Sequence, residues 1–560
     1  MSIMRRSVVL GAANLALIAA APDTRVSVAD YGAVPNGDDA GPGVARAIAA
    51  LPKVGATLFF PPGRYRFRQH GGTAVALHDF ERLTVTAHGA TFLFEGNTSP
   101  ILLARCVAPV LEGFSIDFDR PPFSQGEVLA VAPDARSFEI RVDDEFPVDG
   151  SEPIQTLGTY DRASGLTARH GLDYYGVGQS STLLRPQTLR IATRYPVPGL
   201  QTRDVVVLRH NVYGNHCIVV NGCTAPVIRD VGIHAGGGMG VVGSRNSDVT
   251  IERLQIMPTP ARGRLMSVCA DGVHLGQGSG TVTIADCLMA GMGDDGINVN
   301  NRYLRIVERR DDRTLVVGKY RNQSFDQSDA PTDPTRFALV AVRTLTTIGE
   351  ALAIAGQVAG DRATLRFQSD LPRTLLEGDM LSDLSANVAL TVSRCVFPGN
   401  RARGVLAHSN ATIEGCRFAN QTHSAVLLAP DLVWLEGAEA AQVRIVDNEM
   451  IDVQRSGSDR GAVCITVGLP QGSSAGLVNH DIYVQRNHIV GPGPALVADH
   501  VRQLSVIENR IERTDGPAIR LGPIRDATLA GNVCTPAAPV LIDPANLGAV
   551  KLAGNQGLQA

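Results

Sequence analysis

Three aspartates carry the chemistry this sequence can offer. Asp271 lies in Ala270-Asp271-Gly272-Val273-His274-Leu275, and two more open Asp294-Asp295-Gly296-Ile297-Asn298-Val299. The segments read almost alike, offset by 24 residues (295 − 271). In a parallel solenoid, residues one coil apart lie about 4.8 Å from each other, so Asp271 and Asp295 are expected to stack. Asp294 should project differently, because adjacent strand residues alternate. One close pair plus one carboxylate set apart is the layout of an inverting glycosidase, whose acid and base stand roughly 6.5–9.5 Å apart around a water. Clustered like charges should raise at least one pKa and keep an acid protonated near neutral pH. Two other readings stay open: Asp-Gly pairs are turn signals that a solenoid repeats anyway, and clustered carboxylates suit Ca2+.

A solenoid is what the rest of the chain describes. The pattern apolar-x-x-(Asn or Cys)-x-apolar recurs at Ile284-x-x-Cys287-x-Met289, Val392-x-x-Cys395-x-Phe397 and Ile413-x-x-Cys416-x-Phe418. It continues through Asn448, Asn487, Asn509, Asn532 and Asn555, and the steps from Val484 to Val506, Leu529 and Leu552 are 22, 23 and 23 residues. Alternating apolar residues make strands, and Asn is expected at turns where left-handed backbone is tolerated, with stacked side chains bonded along the coils. The leucine-rich LxxLxL signature is missing. The fold class is all-β, a right-handed parallel β-helix. Two stretches break the ladder, each of roughly 80 residues with short alternating strands, and read as inserted small antiparallel β-barrels. The resulting division is a signal peptide over 1–21, cap and first coils over 22–125, a barrel over 126–205, catalytic coils over 206–302, a second barrel over 303–383 and C-terminal coils over 384–560. The second barrel follows the Asp294-Asp295 strand directly and is expected to overhang the site.

Composition agrees. Gly is abundant (58) and aromatics are few (5%), which favours tight turns and slim aliphatic strands. A net charge of −4 without basic runs excludes nucleic acid as a partner. Arg5-Arg6 before the apolar run Val8 to Ala21 reads as an export signal, either ordinary or of twin-arginine type, too short to span a bilayer. Once it is removed no membrane segment is expected, and the product is periplasmic or secreted. Nine cysteines without a CxxC pair argue against a zinc site. Those sharing one repeat slot are expected to be buried apolar groups.

The N-terminal DYGA at Asp30 to Ala33, a short helix through Ala45, Ile48 and Leu51, and FPPGRY at Phe60 to Tyr65 resemble the cap of pectin-lyase-like β-helices. ADGVH at Ala270 to His274 followed by GDDGINV at Gly293 to Val299 resembles the catalytic strands of glycoside hydrolase family 110, the α-1,3-galactosidases. SIDFD at Ser115, RHNVYG at Arg209, HAGGGMG at His234 and NRARGVL at Asn400 fit the same family, and APDLVWLE at Ala429 fits more loosely. The resemblance covers most of the chain beyond the signal. It implies an inverting exo-hydrolase, free of metal or other cofactor, that releases galactose from a galactose-terminated oligosaccharide or polysaccharide. By that likeness Asp294 is the general acid, while Asp271 and Asp295 position and deprotonate water. Polygalacturonases share the spaced aspartates, but their Gly-His-Gly and Arg-Ile-Lys signatures are absent here.

Further sugar contacts are candidates. Trp434, the only Trp, could stack on a galactose ring or pack in the core, and Glu436 follows at strand spacing. Arg264 enters the Asp271 strand and could bind sugar, orient a carboxylate or lie on the surface. His274 and Asn298 stack in register as cleft lining or as an exterior polar ladder. Arg403 falls on the next coil, and His234 and His210 complete the set. A Ca2+-dependent lyase, a polygalacturonase-like hydrolase and a non-catalytic glycan-binding solenoid remain as alternatives. Exposed solenoid faces are also compatible with a homodimer.

Overall fold

The computed structural model describes residues 24–68, 72–319, 334–458, 460–467, 476–512, 516–546 and 548–559. The segment expected to be an export signal lies outside them. The chain winds into a parallel β-helix. One face stacks Val110–Phe118, Val227–Arg229, Ser247–Glu252, Ser279–Ala285, Val388–Ser393 and Asn410–Glu414 in parallel register, and the ladder runs on to Val550–Ala553. A second face stacks Ser99–Ala104, Ile218–Asn221, Val241–Ser244, Val273–Gly276, Ile297–Asp311 and Val405–Ala407. Inward Val, Ile, Leu and Phe side chains form one continuous core from Val26 to Val540. The open first coil is capped by the helix Gly41–Ala49, with Pro in its first turn. This helix buries Val44 and Ala47, whereas Ala45, expected on the inward face, is exposed.

The repeat Asn residues form a buried ladder. Nδ2 of Asn448 donates to Oδ1 of Asn487 at 2.9 Å, Asn487 to Asn509 and Asn509 to Asn532 at 3.0 Å, and Asn532 to Asn555 at 2.9 Å. The second N–H of each amide goes to a strand carbonyl, such as that of Ile413 or Val484. Left-handed backbone falls one residue earlier than expected, on Asp447, Arg486 and Glu508, with φ of 56°, 51° and 54°. The turn therefore bends at the preceding residue, and Asn is used for its amide. Cys287, Cys395 and Cys416 fill the same slot as buried free thiols.

Two antiparallel sheets interrupt the coils. The first is built from strands such as Phe123–Val131, Thr156–Asp161 and Val205–Arg209, with Asp173–Tyr175 paired onto Thr156–Asp161. The second grows out of the solenoid itself. Ile297–Asp311 is parallel to its coil neighbours over its first residues, then antiparallel to Thr314–Gly318 and Met380–Asp383. Arg362–Phe367, Thr347–Ala359 and Thr335–Val340 close this second ladder on itself.

Candidate active site

The Asp-Gly repeat has a steric cause. Coils approach so closely here that a Cβ on Gly272 would stand 2.6 Å from the Gly296 carbonyl oxygen, and one on Gly296 2.5 Å from that of Gly404. Backbone bonds cross the gap, with Gly272 N donating to Asp295 O at 2.8 Å and Gly296 N to Arg403 O at 2.9 Å. This stacking sets Asp271, Asp294 and Asp295 side by side at the bottom of a cleft of about 460 Å3. One carboxylate oxygen of each lies within 4.8 Å of those of the other two. Asp294 thus keeps an oxygen beside the other two, and the backbone enters the regular strand only at Ile297, after both Asp294 and Asp295.

Each carboxylate has its own partners. Asp271 Oδ2 accepts from His274 Nδ1 at 2.7 Å, and its Oδ1 accepts the Asp295 amide at 3.2 Å. Asp295 Oδ1 accepts both the amide and Nη1 of Arg403 at 3.0 Å. Asp294 accepts Arg401 Nη1 at 3.1 Å and the Tyr175 hydroxyl at 3.3 Å. Burial pushes the Asp271 carboxyl well above the usual carboxylate range, aided by the charge on Asp294, and pushes Asp295 up to about 7 against the pull of Arg403. Burial also pushes Asp294 up, but Arg401, Arg403 and Arg209 outweigh it and hold this carboxyl below its ordinary value. The raised pKa expected of the cluster falls on Asp271 and Asp295, since the guanidinium groups crowd Asp294.

A polar wall stands beside the cluster. Burial keeps His274 neutral, so Nδ1 donates to Asp271 while Nε2 accepts Asn300 Nδ2 at 3.2 Å. Asn298 Nδ2 donates to Glu436 Oε2 at 3.3 Å, and Glu436 reaches within 3.9 Å of both His274 and His408. Burial raises the Glu436 carboxyl. The rim is aromatic. Trp434 and Tyr213 are 41% and 46% exposed, with ring centroids 6.2 Å apart. Asp431 Oδ1 accepts the Trp434 amide at 3.0 Å and fixes the turn that presents the indole.

His274, Asn298, Arg403, Trp434 and Glu436 therefore share the cleft with the aspartates. Three candidates do not. Arg264 is buried against Asp117 at 2.6 Å and Glu145 at 2.8 Å, locking the first insert to the solenoid. His210 bonds Ser124 Oγ and the Pro153 carbonyl, each at 2.8 Å, and burial lowers its pKa to about 4. His234 lies 3.2 Å from the Met257 carbonyl, outside the cleft lining. Among the described residues, none within 303–383 lines the cleft that the second insert was expected to overhang. The first insert reaches in instead, through Tyr175. Sequence reasoning missed Tyr175, Arg401, Tyr213, His216 and Arg302. Arg401 lies with Arg403 in the bend before the strand Val405–Ala407, where alternation gives no direction to either side chain. Tyr175 had no periodic signal.

No family model matches the chain. The chain is 27% identical over 443 residues to alpha-1,3-galactosidase B of Phocaeicola vulgatus, covering 70% of this chain and 74% of that protein. A solved GH87 alpha-1,3-glucanase catalytic unit from Streptomyces thermodiastaticus covers 96% of this chain and is itself 70% covered, at 14% identity and a TM-score of 0.46, too loose a likeness to bear on the site. Alpha-1,3-galactosidase A of Shewanella woodyi is 25% identical over 553 residues, 92% of this chain and 89% of that protein. The chain is thus similar, over most of its length, to proteins named alpha-1,3-galactosidase.

Proposed function

We propose that this chain is an exo-acting, inverting glycoside hydrolase that releases terminal α-1,3-linked D-galactose from glycans. One observation carries the reading: two buried aspartates and a third, partly buried one, with mutually adjacent oxygens, lie beneath an aromatic rim in a cleft of small-ligand size. The similarity to named α-1,3-galactosidases supplies the linkage. Charge supports a neutral sugar. Among the described residues, Asp271, Asp294, Asp295, Asp431 and Glu436 line the cleft against Arg302 and Arg403, with Arg401 paired to Asp294, an acidic balance that disfavours a polyuronate. Arg401 and Arg403 supply the positive charge that a Ca2+ ion would otherwise bring to the cluster, which favours metal-free hydrolysis.

In this reading Asp294 gives its proton to the glycosidic oxygen as the C1–O bond breaks, and the aglycone leaves as an alcohol. Asp271 and Asp295 hold a water whose oxygen bonds to C1 and whose proton passes to the pair. Adjacent oxygens alone fit either stereochemical outcome. Inversion is favoured by the bonding instead. His274, the Asp295 amide and Arg403 already hold Asp271 and Asp295, which suits them to gripping water rather than attacking C1. A second reading has support from the charge order, in which Asp294 is the ionised member: Asp294 then takes the water's proton and the Asp271–Asp295 pair donates.

The test is incubation with Galα1-3Gal, Galα1-4Gal and polygalacturonate, with and without chelator. Galactose from the first alone, indifferent to chelator, is expected. Cleavage of polygalacturonate, or an unsaturated product absorbing in the ultraviolet, would replace this reading with a pectinase or a lyase.

A further inference from the structure

The cleft does not end at Arg403. A second groove of about 660 Å3 continues along the solenoid and shares Arg403, Leu406 and Asp431 with it. Its floor is a single ladder position. Register pairs Asn298 with Leu406, then Leu427, Cys464 and Val497 in successive coils. The outward position that is polar beside the aspartates thus becomes apolar over the next four coils. Val342 of the second insert forms part of one wall, so this insert flanks the groove.

The sign of the charge changes along the same line. The groove holds Arg305, Arg403 and Arg460 against Asp431 and Asp499. Both acids are engaged: Asp431 Oδ1 takes the Trp434 amide at 3.0 Å, and Asp499 takes the Thr466 hydroxyl at 2.9 Å and His500 Nδ1 at 2.7 Å. Arg403 is spent on Asp295. Arg305 and Arg460 are exposed at the rim, and among the described residues neither has a side-chain hydrogen bond or ion pair.

We propose that this groove receives the aglycone of the substrate and selects one bearing an anionic group, a sulfate ester or a carboxylate. The proposal rests on the hydrolase reading above. An anion on the terminal galactose would face the five carboxyl groups of the cleft, whereas one on the sugars behind it meets two available guanidinium groups. Guanidinium forks match planar carboxylate and sulfate oxygens in paired, charge-assisted bonds. The apolar floor suits the C–H faces of sugar rings and excludes water, which strengthens those bonds.

The experiment uses the full chain and three trisaccharides, in which Galα1-3Gal is joined to glucose, to glucuronic acid or to 6-sulfated glucose. Low-salt kcat/KM for at least one acidic arm should exceed the neutral arm about tenfold, chiefly through KM. The ratio should collapse toward one in the Arg305→Ala, Arg460→Ala double variant and on raising salt, and the better acidic arm identifies the anion. Equal or slower turnover of both acidic arms, or a ratio the double variant leaves intact, would overturn the proposal. Release of galactose from none of the three would sink the hydrolase reading instead. The groove would then be judged by calorimetric titration with the galactose-free acidic disaccharides. Binding that the double variant loses upholds the groove, and absence of binding overturns it.

Discussion

The Tyr175 hydroxyl stands 3.3 Å from Oδ2 of Asp294, although 119 residues separate the two in sequence. Arg401 closes the triangle, donating to the Tyr175 oxygen at 2.9 Å and to Asp294 Oδ1 at 3.1 Å while bonding Asp173 through its Nε at 2.6 Å. The first insert therefore walls the aspartate cleft, and the proton affinity of Asp294 is set partly from outside the solenoid.

Tyr175→Phe removes a donor to the ionised Asp294 carboxylate and should raise its pKa. If Asp294 is the proton donor, it stays protonated to higher pH, and the basic limb of the kcat/KM profile moves upward. An upward move of the acid limb would assign the donor role to the Asp271–Asp295 pair.

Leaving groups separate the roles as well. Asp294→Asn should cost about 10²–10⁴-fold on Galα1-3Gal, the usual worth of a general acid. Most of that should return with a dinitrophenyl α-galactoside, which departs without protonation. Asp271→Asn and Asp295→Asn should remain slow on both substrates. Rescue of either in place of Asp294→Asn would reverse the assignment.

The raised Asp295 carboxyl has a stability signature. Its folded-state value of about 7 exceeds the roughly 3.9 of an unfolded Asp, so the folded state binds the proton more tightly. That contribution is full below about pH 4 and is lost as pH rises through about 7. Asp295→Asn removes the titration. Its melting temperature relative to the parent should climb between pH 4 and pH 8, and calorimetry that finds a constant difference would contradict the buried, protonated state.

Much of this was legible before any coordinates. Period and slot identity gave the parallel coils, because a solenoid repeats one local problem. The Asp271/Asp295 step of one coil followed from the same count. What was not legible came from backbone departures and long-range docking. Alternation was no guide to Asp294, since the regular strand starts at Ile297. Arg264 and His210 are candidate sugar contacts by sequence, but both fasten the first insert, an interface that no periodicity announces. Tyr175 arrives across that interface, and the groove beyond Arg403 forms only when skipped coils are restacked.

The glycine of the motif is as necessary as the aspartate. Gly296→Ala would drive a methyl to 2.5 Å from the Gly404 carbonyl and 2.7 Å from the Phe397 ring. A loss of about 1–3 kcal/mol by chemical denaturation is expected from such overpacking, with turnover falling as the aspartates separate. A variant of parent stability would show that the coils can part without cost.

Hydrolysis of an α-1,3-galactosyl bond by a single displacement, as proposed for the three aspartates, inverts the configuration at C1. Proton NMR of Galα1-3Gal during the first minutes of reaction tests it most directly. β-Galactose is expected as the first-formed anomer, with α-galactose appearing only by mutarotation. First-formed α-galactose would contradict the single displacement, and no galactose at all would contradict the hydrolase itself.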